Sequence, residues 1–395
     1  MRYRIETERE NLFDVNMMIA MRVRLNDMPP FECLSDAFYK AVRTYEILCS
    51  RIVIEDSGEA FYVDCDTPKS SFAESVLSFE ELINVNEKIR FKVEDGEYIR
   101  GFSTSDGIVF LMHHLGGDGK SLLFFIESFM SILSGEEVSK IGFGRLAVSD
   151  MPEESKLPKL YELLINHWNK KWAKVRRVFS FEDLDRAFND FWKEHETVTT
   201  LTEYGKPELD RMIKESKEAG SSLTSYLIAD LIKDWKFKAD VGLAVDGRQD
   251  NSRLMGNYAT GIHVNYRFDN TISVCMNAVR FNRLMRAKLS DPRVRYSVLH
   301  FVGRLDPTLI DTVCLEAVGA YHSRLSSQFA EIMSYGKKKR DLSITNLMRA
   351  DIPVSYGEYE IKDIAFVPPV VSYGKNLYGI ITVNDRMIIS HHTYK

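Results

Sequence analysis

The spacing of apolar positions along this chain switches repeatedly between short unbroken runs and a three-to-four-residue recurrence. The sharpest switch lies in GIVFLMHHLGGDGKSLLFFIESFMSIL, Gly107 to Leu133. Ile108 to Met112 is an unbroken apolar run behind a glycine, which predicts a strand buried on both faces. Leu122, Phe125, Ile126, Phe129 and Leu133 then recur at helical spacing, which predicts a helix beginning near Lys120. Two histidines, a glycine-rich turn and an aspartate, His113 to Gly119, stand where the strand hands over to the helix. Rigid elements on either side of an open loop are a common setting for chemistry.

The same reading extends along the chain. Val15 to Val23 suits a strand. Leu34, Phe38, Ala41, Val42 and Tyr45 mark a helix, and Arg51–Ile54 with Ala60–Val63 form a hairpin over Ser57-Gly58. Phe72 to Ile83 is expected to be helical. Ile89–Val93 and Glu97–Phe102 flank Asp95-Gly96 and are expected to pair as a hairpin. Gly135 to Pro152 is loop-like, and Leu157 to Val178 is helical and turns basic along HWNKKWAKVRR. Phe179 to His195 is expected to be a polar, aromatic connector. The second half repeats the alternation. Strands are expected at Val198–Leu201, Asp240–Val245, within Met255–Phe268 and at Leu342–Asn346. Helices are expected at Pro207–Lys217, after Ser222 or Thr224, and through much of Val274–Met333. Leu377–Val383 and Arg386–His392 read as a hairpin over Asn384-Asp385.

Composition narrows the class. The chain has 395 residues, 45% hydrophobic and 28% charged, as expected of a soluble globular protein with two or three ordinary domains. A net charge of -5 offers no general basic field for nucleic acid. The N-terminus MRYRIETERENLF has no apolar core of a signal peptide, and no stretch approaches a charge-free membrane span. Five scattered cysteines, Cys33, Cys49, Cys65, Cys275 and Cys314, form no CxxC and suit reduced thiols in a cytoplasmic protein.

Once the residues are aligned, His113-His114-x-x-x-Asp118-Gly119 matches the HHxxxDG motif of the CoA-dependent acyltransferase superfamily. That superfamily includes chloramphenicol acetyltransferase, alcohol acetyltransferases and the condensation domains of nonribosomal peptide synthetases. GSSLTSYLIADLI followed by VGLAVDGR, then MGNYATGIHVNY and SITNLMRADIP, resemble later segments of the superfamily in the same order. The resemblance implies an α/β (α+β) fold of two chloramphenicol acetyltransferase-like lobes in a V, with the active-site channel between them. The lobes are expected at residues 1–178, carrying HHxxxDG, and 179–395.

The resemblance also implies an activity. An acyl group would pass from a thioester, acyl-CoA or acyl-phosphopantetheine on a separate carrier protein, to an alcohol or amine acceptor. The alternative is a non-catalytic or epimerase-like condensation-domain relative that binds a carrier protein. No covalently bound cofactor, metal, nucleic acid or membrane span is expected, and a cytoplasmic monomer is.

Strand geometry sends successive side chains to opposite faces, so His113 and His114 cannot both line one cavity. The family motif gives the base to His114. An imidazole with an ordinary pKa of about 6.5 can take and return a proton near neutrality. His113 is expected to be structural. Asp118 can orient His114 or cap the following helix; the resemblance implies that it pairs with an arginine and holds the loop in shape, and Arg248 in DGR is the expected partner. Gly116, Gly117 and Gly119 permit close backbone approach. The tetrahedral oxyanion of acyl transfer needs donors, for which Asn257, Tyr258, Ser343, Thr345 and Asn346 are candidates. Gly119-Lys120-Ser121 imitates the end of a GxxxxGKS phosphate loop, but His114 occupies the place of its first glycine. His391-His392 is expected to end an exposed strand. The basic runs Lys170–Arg177 and Lys337–Arg340 read as solvated surface, or as contacts for CoA phosphates or an acidic carrier.

Overall fold

The computed structural model describes residues 1–250, 252–332, 340–371 and 374–395. Of the basic run 337–340, only Arg340 falls within them. In the first half of the chain the strands are β1 (Arg2–Arg4), β2 (Met18–Leu25), β3 (Ser50–Ile54), β4 (Ala60–Asp64), β5 (Ser71–Glu74), β6 (Ile99–Thr104) and β7 (Gly107–His113). In the second half they are β8 (Thr197–Tyr204), β9 (Ala239–Asp246), β10 (Ala259–Tyr266), β11 (Leu342–Arg349), β12 (Ser355–Tyr356), β13 (Tyr359–Val367), β14 (Asn376–Val383) and β15 (Arg386–Tyr394).

The strands make two six-stranded sheets, ordered β12-β13-β2-β7-β6-β5 and β10-β9-β11-β14-β15-β8, and a small sheet β1-β4-β3. The predicted central strand is β7, held between β2 and β6, with Ile108 to Met112 entirely buried. A helix over Phe31–Thr44 and the motif helix, Gly119–Leu133, supply an aromatic cluster against it. Phe110 lies 5.4 Å from Phe125 and 5.1 Å from Phe129, both edge-on, the arrangement favoured by ring quadrupoles.

The halves are interwoven. β13 comes from the end of the chain but pairs antiparallel with β2 in the first sheet. Where it leaves for β14, Ser390 Oγ donates to the Phe366 carbonyl at 2.6 Å and joins the two sheets. Elsewhere on the seam, Met255 bridges to Phe143, and Gly256 lies so close that a Cβ there would stand 2.1 Å from the Gly144 carbonyl oxygen.

Four expectations need correction. Residues 72–83 are not one helix: Phe72 belongs to β5, with its ring over Gly101 of β6, where a Cβ would stand 2.4 Å from it. The helix starts only at Phe79, behind a reciprocal Ser78–Glu81 capping box. Asp95-Gly96 turns the chain without joining two strands. Arg100 takes the carbonyls of Ile89 and Arg90 at 3.0 and 3.1 Å, and β6 pairs with β7 and β5. Residues 179–195 contain a helix, Phe181–Glu194, capped by Ser180 and Asp183, with Leu184, Ala187, Phe188, Phe191 and Trp192 inward. Finally, His391-His392 does not end an exposed strand, because β8 covers β15 as the outer strand. His392 is buried, with Nε2 3.1 Å from Glu87 and Nδ1 2.8 Å from the Pro368 carbonyl. Burial opposes its protonation, but the Glu87 charge outweighs this and raises its pKa. The Asn384-Asp385 hairpin forms as expected, with both residues at positive φ, 47° and 57°, as a type I′ turn requires.

Candidate functional site

β7 ends at His113, and the chain turns through His114, Leu115 and Gly116 before the motif helix begins. The two histidines part there. His113 lines a small, separate pocket with Phe91 and Val93, and its Nδ1 accepts the Leu115 N–H at 3.2 Å. Burial, together with the charges of Arg90, Arg100 and the neighbouring His114, pushes its pKa down to about 3, so it stays neutral. His114 lines a much larger cavity, about 600 Å³, between the two halves of the chain. Burial lowers its pKa too, opposed by the negative charge of Asp118 and by its own main chain. Its Nδ1 is sealed from solvent and has no hydrogen-bond partner among the described residues.

Asp118 caps the motif helix, its Oδ1 accepting the Ser121 N–H at 2.8 Å. The same carboxylate is forked by Arg248, Nη1 to Oδ2 at 2.8 Å and Nη2 to Oδ1 at 3.2 Å. Oδ2 also accepts the Tyr258 N–H at 3.0 Å. Ser121 Oγ completes the knot, accepting from Arg248 Nη2 at 2.9 Å and donating to the Gly256 carbonyl at 2.8 Å. Tyr258 lies under the guanidinium, 4.2 Å from ring centre to Arg248 Cζ. Burial works against the Arg248 charge, but Asp118 and Asp246 more than compensate and raise its pKa. Lys120 pairs with Asp246 at 2.8 Å. Lys120 and Ser121, which imitate a phosphate loop, are thus occupied by contacts to the second half.

The cap needs Gly117. Its φ is +153°, and a Cβ there would stand 2.5 Å from Ser121 Cβ, inside the first turn of the helix. Gly119 packs against Leu347 and Phe366, where a Cβ would sit 3.1 and 3.2 Å away.

The oxyanion candidates separate by position. Asn257, Ser343 and Thr345 line the cavity with His114. Asn257 Oδ1 accepts the Ala259 N–H at 3.0 Å. Ser343 Oγ is buried without a partner among the described residues. Asn346 lies off the cavity, donating to Thr224 Oγ1 at 2.9 Å and accepting from Met348 N at 2.8 Å. Tyr258 is consumed by the Arg248 knot.

The structure adds Asn11. It lines the same cavity, and its buried Nδ2 has no partner among the described residues. Its helix, Glu10–Phe13, is a single turn, too short to leave a periodic signal in the sequence. Much of the remaining wall is apolar, with Met17, Ile165, Trp168, Val298, Phe301 and Phe329, and Glu10, Thr260, His263, Ser297 and Arg340 add polar and charged groups to it. Among the described residues no group of three His, Cys, Asp or Glu side chains is placed to hold a metal, and no helix is long and apolar enough to cross a membrane.

No protein-family model matches the chain. No curated protein matches it either. Solved structures do. The condensation domain of the Monacolin K polyketide synthase MokA superposes with a TM-score of 0.63 at 13% identity, covering 100% of this chain and 92% of that one. Polyketide synthase associated protein 5 from Mycobacterium tuberculosis gives 0.62 at 14%, covering 99% and 92%. A starter condensation domain of rhizomide synthetase, a mutant in complex with C8-CoA and Leu-SNAC, gives 0.62 at 11%, covering 99% and 88%. At such identities the likeness is one of fold, and the protein has the two-lobed α/β, chloramphenicol acetyltransferase-like fold of the condensation domains.

Proposed function

We propose that the protein is an acyltransferase that moves an acyl group from a thioester to an alcohol or amine, with His114 as general base. The observation that carries this reading is the placement of His114. Of the motif's two histidines it alone lines the large cavity, in surroundings that favour its neutral, proton-accepting form. In this reading the sealed Nδ1 carries the ring proton, and Nε2 takes the acceptor's proton. The acceptor's oxygen or nitrogen bonds to the thioester carbonyl carbon. The tetrahedral oxyanion collapses, the C–S bond breaks, and the thiolate recovers the proton from the imidazolium. Asn257 and Ser343 are the preferred oxyanion donors, because both line the cavity and Ser343 has an uncommitted hydroxyl. Asp118 serves as a positioning residue that fixes the turn through Arg248. We place the lobe boundary near residues 178/179, with residues 355–367 returned to the first sheet.

The donor is acyl-CoA or an acyl group on the phosphopantetheine of a carrier protein. The rhizomide domain in complex with C8-CoA supports the first of these. A second reading, proton transfer at a stereocentre, draws on the epimerization domain of tyrocidine synthetase B, which shares the fold with a TM-score of 0.57 at 14% identity.

The test is incubation with panels of acyl-CoAs, acyl-carrier thioesters, alcohols and amines, read by thiol release and mass spectrometry. A new ester or amide supports transfer, and an inverted centre without a new bond supports epimerisation. His114→Ala should lower kcat by about 10² to 10⁴ with donor binding little changed. A folded His114→Ala protein with near-normal turnover would eliminate the general-base mechanism.

A further inference from the structure

We propose that the helix Lys159–Trp172 docks the protein on a lipid bilayer that carries anionic headgroups. Its inward side is anchored to the segment around residues 304–308. Trp172 is fully buried and donates from Nε1 to Thr308 Oγ1 at 2.7 Å. Asn169 bonds the Arg304 carbonyl at 3.0 Å and the Asp306 N–H at 2.9 Å, and Glu162 pairs with Arg304 at 2.9 Å. At 100° per residue these contacts use one side of the helix. Away from that side Leu160 is 65% exposed, Leu163 67% and Leu164 41%, while Tyr161, 43% exposed, packs edge-on against Phe301 at 5.6 Å. Large aliphatic side chains side by side in water mark an interaction surface.

The charge on this element selects the partner. From Lys156 to Val178 the chain carries seven cations and one carboxylate, within a protein of net charge -5. The carboxylate, Glu162, is engaged by Arg304. Lys170, Lys171 and Lys174 are exposed, and none forms an ion pair among the described residues. The outward side is therefore leucine-rich in its first half and lysine-rich in its second. An interfacial helix lies on an anionic bilayer with this division of labour, burying aliphatic side chains while its lysines meet headgroups.

The patch also continues into the cavity. Tyr161, Leu164, Phe301 and Ile332 line it, and Ile332 is itself 63% exposed. An apolar chain leaving the bilayer here would reach the His114 cavity along an apolar wall. An acidic carrier protein would suit the lysines. The leucines, however, gather at one end of the face, with the exposed Asn166 and His167 one turn further on towards the lysines, whereas a protein–protein interface spreads direct hydrogen bonds across its area.

Docking is independent of turnover, so its test leaves the acyl-transfer reading untouched. The full-length protein is sedimented with vesicles of phosphatidylcholine alone and of phosphatidylcholine with phosphatidylserine. The wild type should partition onto the anionic vesicles, and added salt should weaken the binding. Leu160→Ser/Leu163→Ser should lower partition at least about tenfold with an unchanged melting temperature, because both side chains are exposed. Lys170→Gln/Lys174→Gln should lower it about 25-fold, since each lysine near such a surface contributes roughly fivefold. Failure of the wild type to bind anionic vesicles, or equal binding by all three proteins, would overturn the proposal. Saturable capture of an acidic carrier protein, abolished by the leucine substitutions and without vesicle binding, would overturn it too and assign this surface to the carrier.

Discussion

Asp118→Asn changes one atom of the knot and leaves the shape intact. In the native protein both carboxylate oxygens accept: Oδ1 from Ser121 N and Arg248 Nη2, Oδ2 from Tyr258 N and Arg248 Nη1. An amide has one acceptor. Whichever way it is turned, its NH2 meets a backbone N–H and a guanidinium N–H, both donors. Arg248, its side chain only 4% exposed, is left with Asp246 at 3.1 Å as its remaining carboxylate. Breaking a buried pair in this way costs roughly 3 to 5 kcal/mol. Unfolding entropy of about 2.1 cal/mol/K per residue over 395 residues makes this a fall in Tm of about 4 to 6 °C. Calorimetry of the wild type, Asp118→Asn, Arg248→Met and the double variant measures the coupling. The double variant should recover part of the loss, because no uncompensated charge stays buried. Activity should fall as well, because the turn that holds His114 is fixed through this cap. Loss of the Asp118 charge should also lower the His114 pKa further, moving the acid limb of the rate profile to lower pH. A single variant with wild-type Tm would refute the reasoning, and so would an acid limb moved to higher pH.

His113→Ala should act on stability, by roughly 1 to 3 kcal/mol, since the ring packs beside Phe91, 5.9 Å between centres, and accepts the Leu115 N–H. His113 titrates near 3 when folded and about 6.5 when unfolded. The unfolded chain therefore binds the extra proton, and wild-type stability should fall as pH drops from about 6.5 towards 3; denaturation across that window should show a flatter dependence in the variant. Ser343→Ala and Asn346→Ala should split the oxyanion candidates: the first should lower kcat with Tm held, the second should lower Tm with kcat largely kept, and steady-state kinetics beside thermal melts would expose the reverse.

The local elements around the site were written in single segments of sequence. The apolar run 108–112 declared a buried strand, Asp118 a helix cap, and Asn384-Asp385 a tight hairpin, because burial, capping and positive φ each depend on residues a few positions apart. Strand alternation led to the expectation that the two histidines part, and they do so where β7 ends at His113 and the chain turns at His114. Which of them would find the large cavity depended on what the rest of the chain placed on either side, and the family motif was needed to choose. Arg248 was legible as a partner only through resemblance, since 130 residues separate it from Asp118. The failures share one cause. Phe72 was taken from a helix by Gly101, Ile89 and Arg90 gave their carbonyls to Arg100, and His392 was engaged by Glu87 and the Pro368 carbonyl. Each outcome was decided by a group distant in sequence competing for the same surface or hydrogen bond. The return of β13 to the first sheet and the entry of Asn11 into the cavity wall are of the same kind: edge pairing and cavity lining arise only when separate segments pack. Local physics thus determined the strand, turn and helix that carry the chemistry, and tertiary packing decided which side chains meet around it.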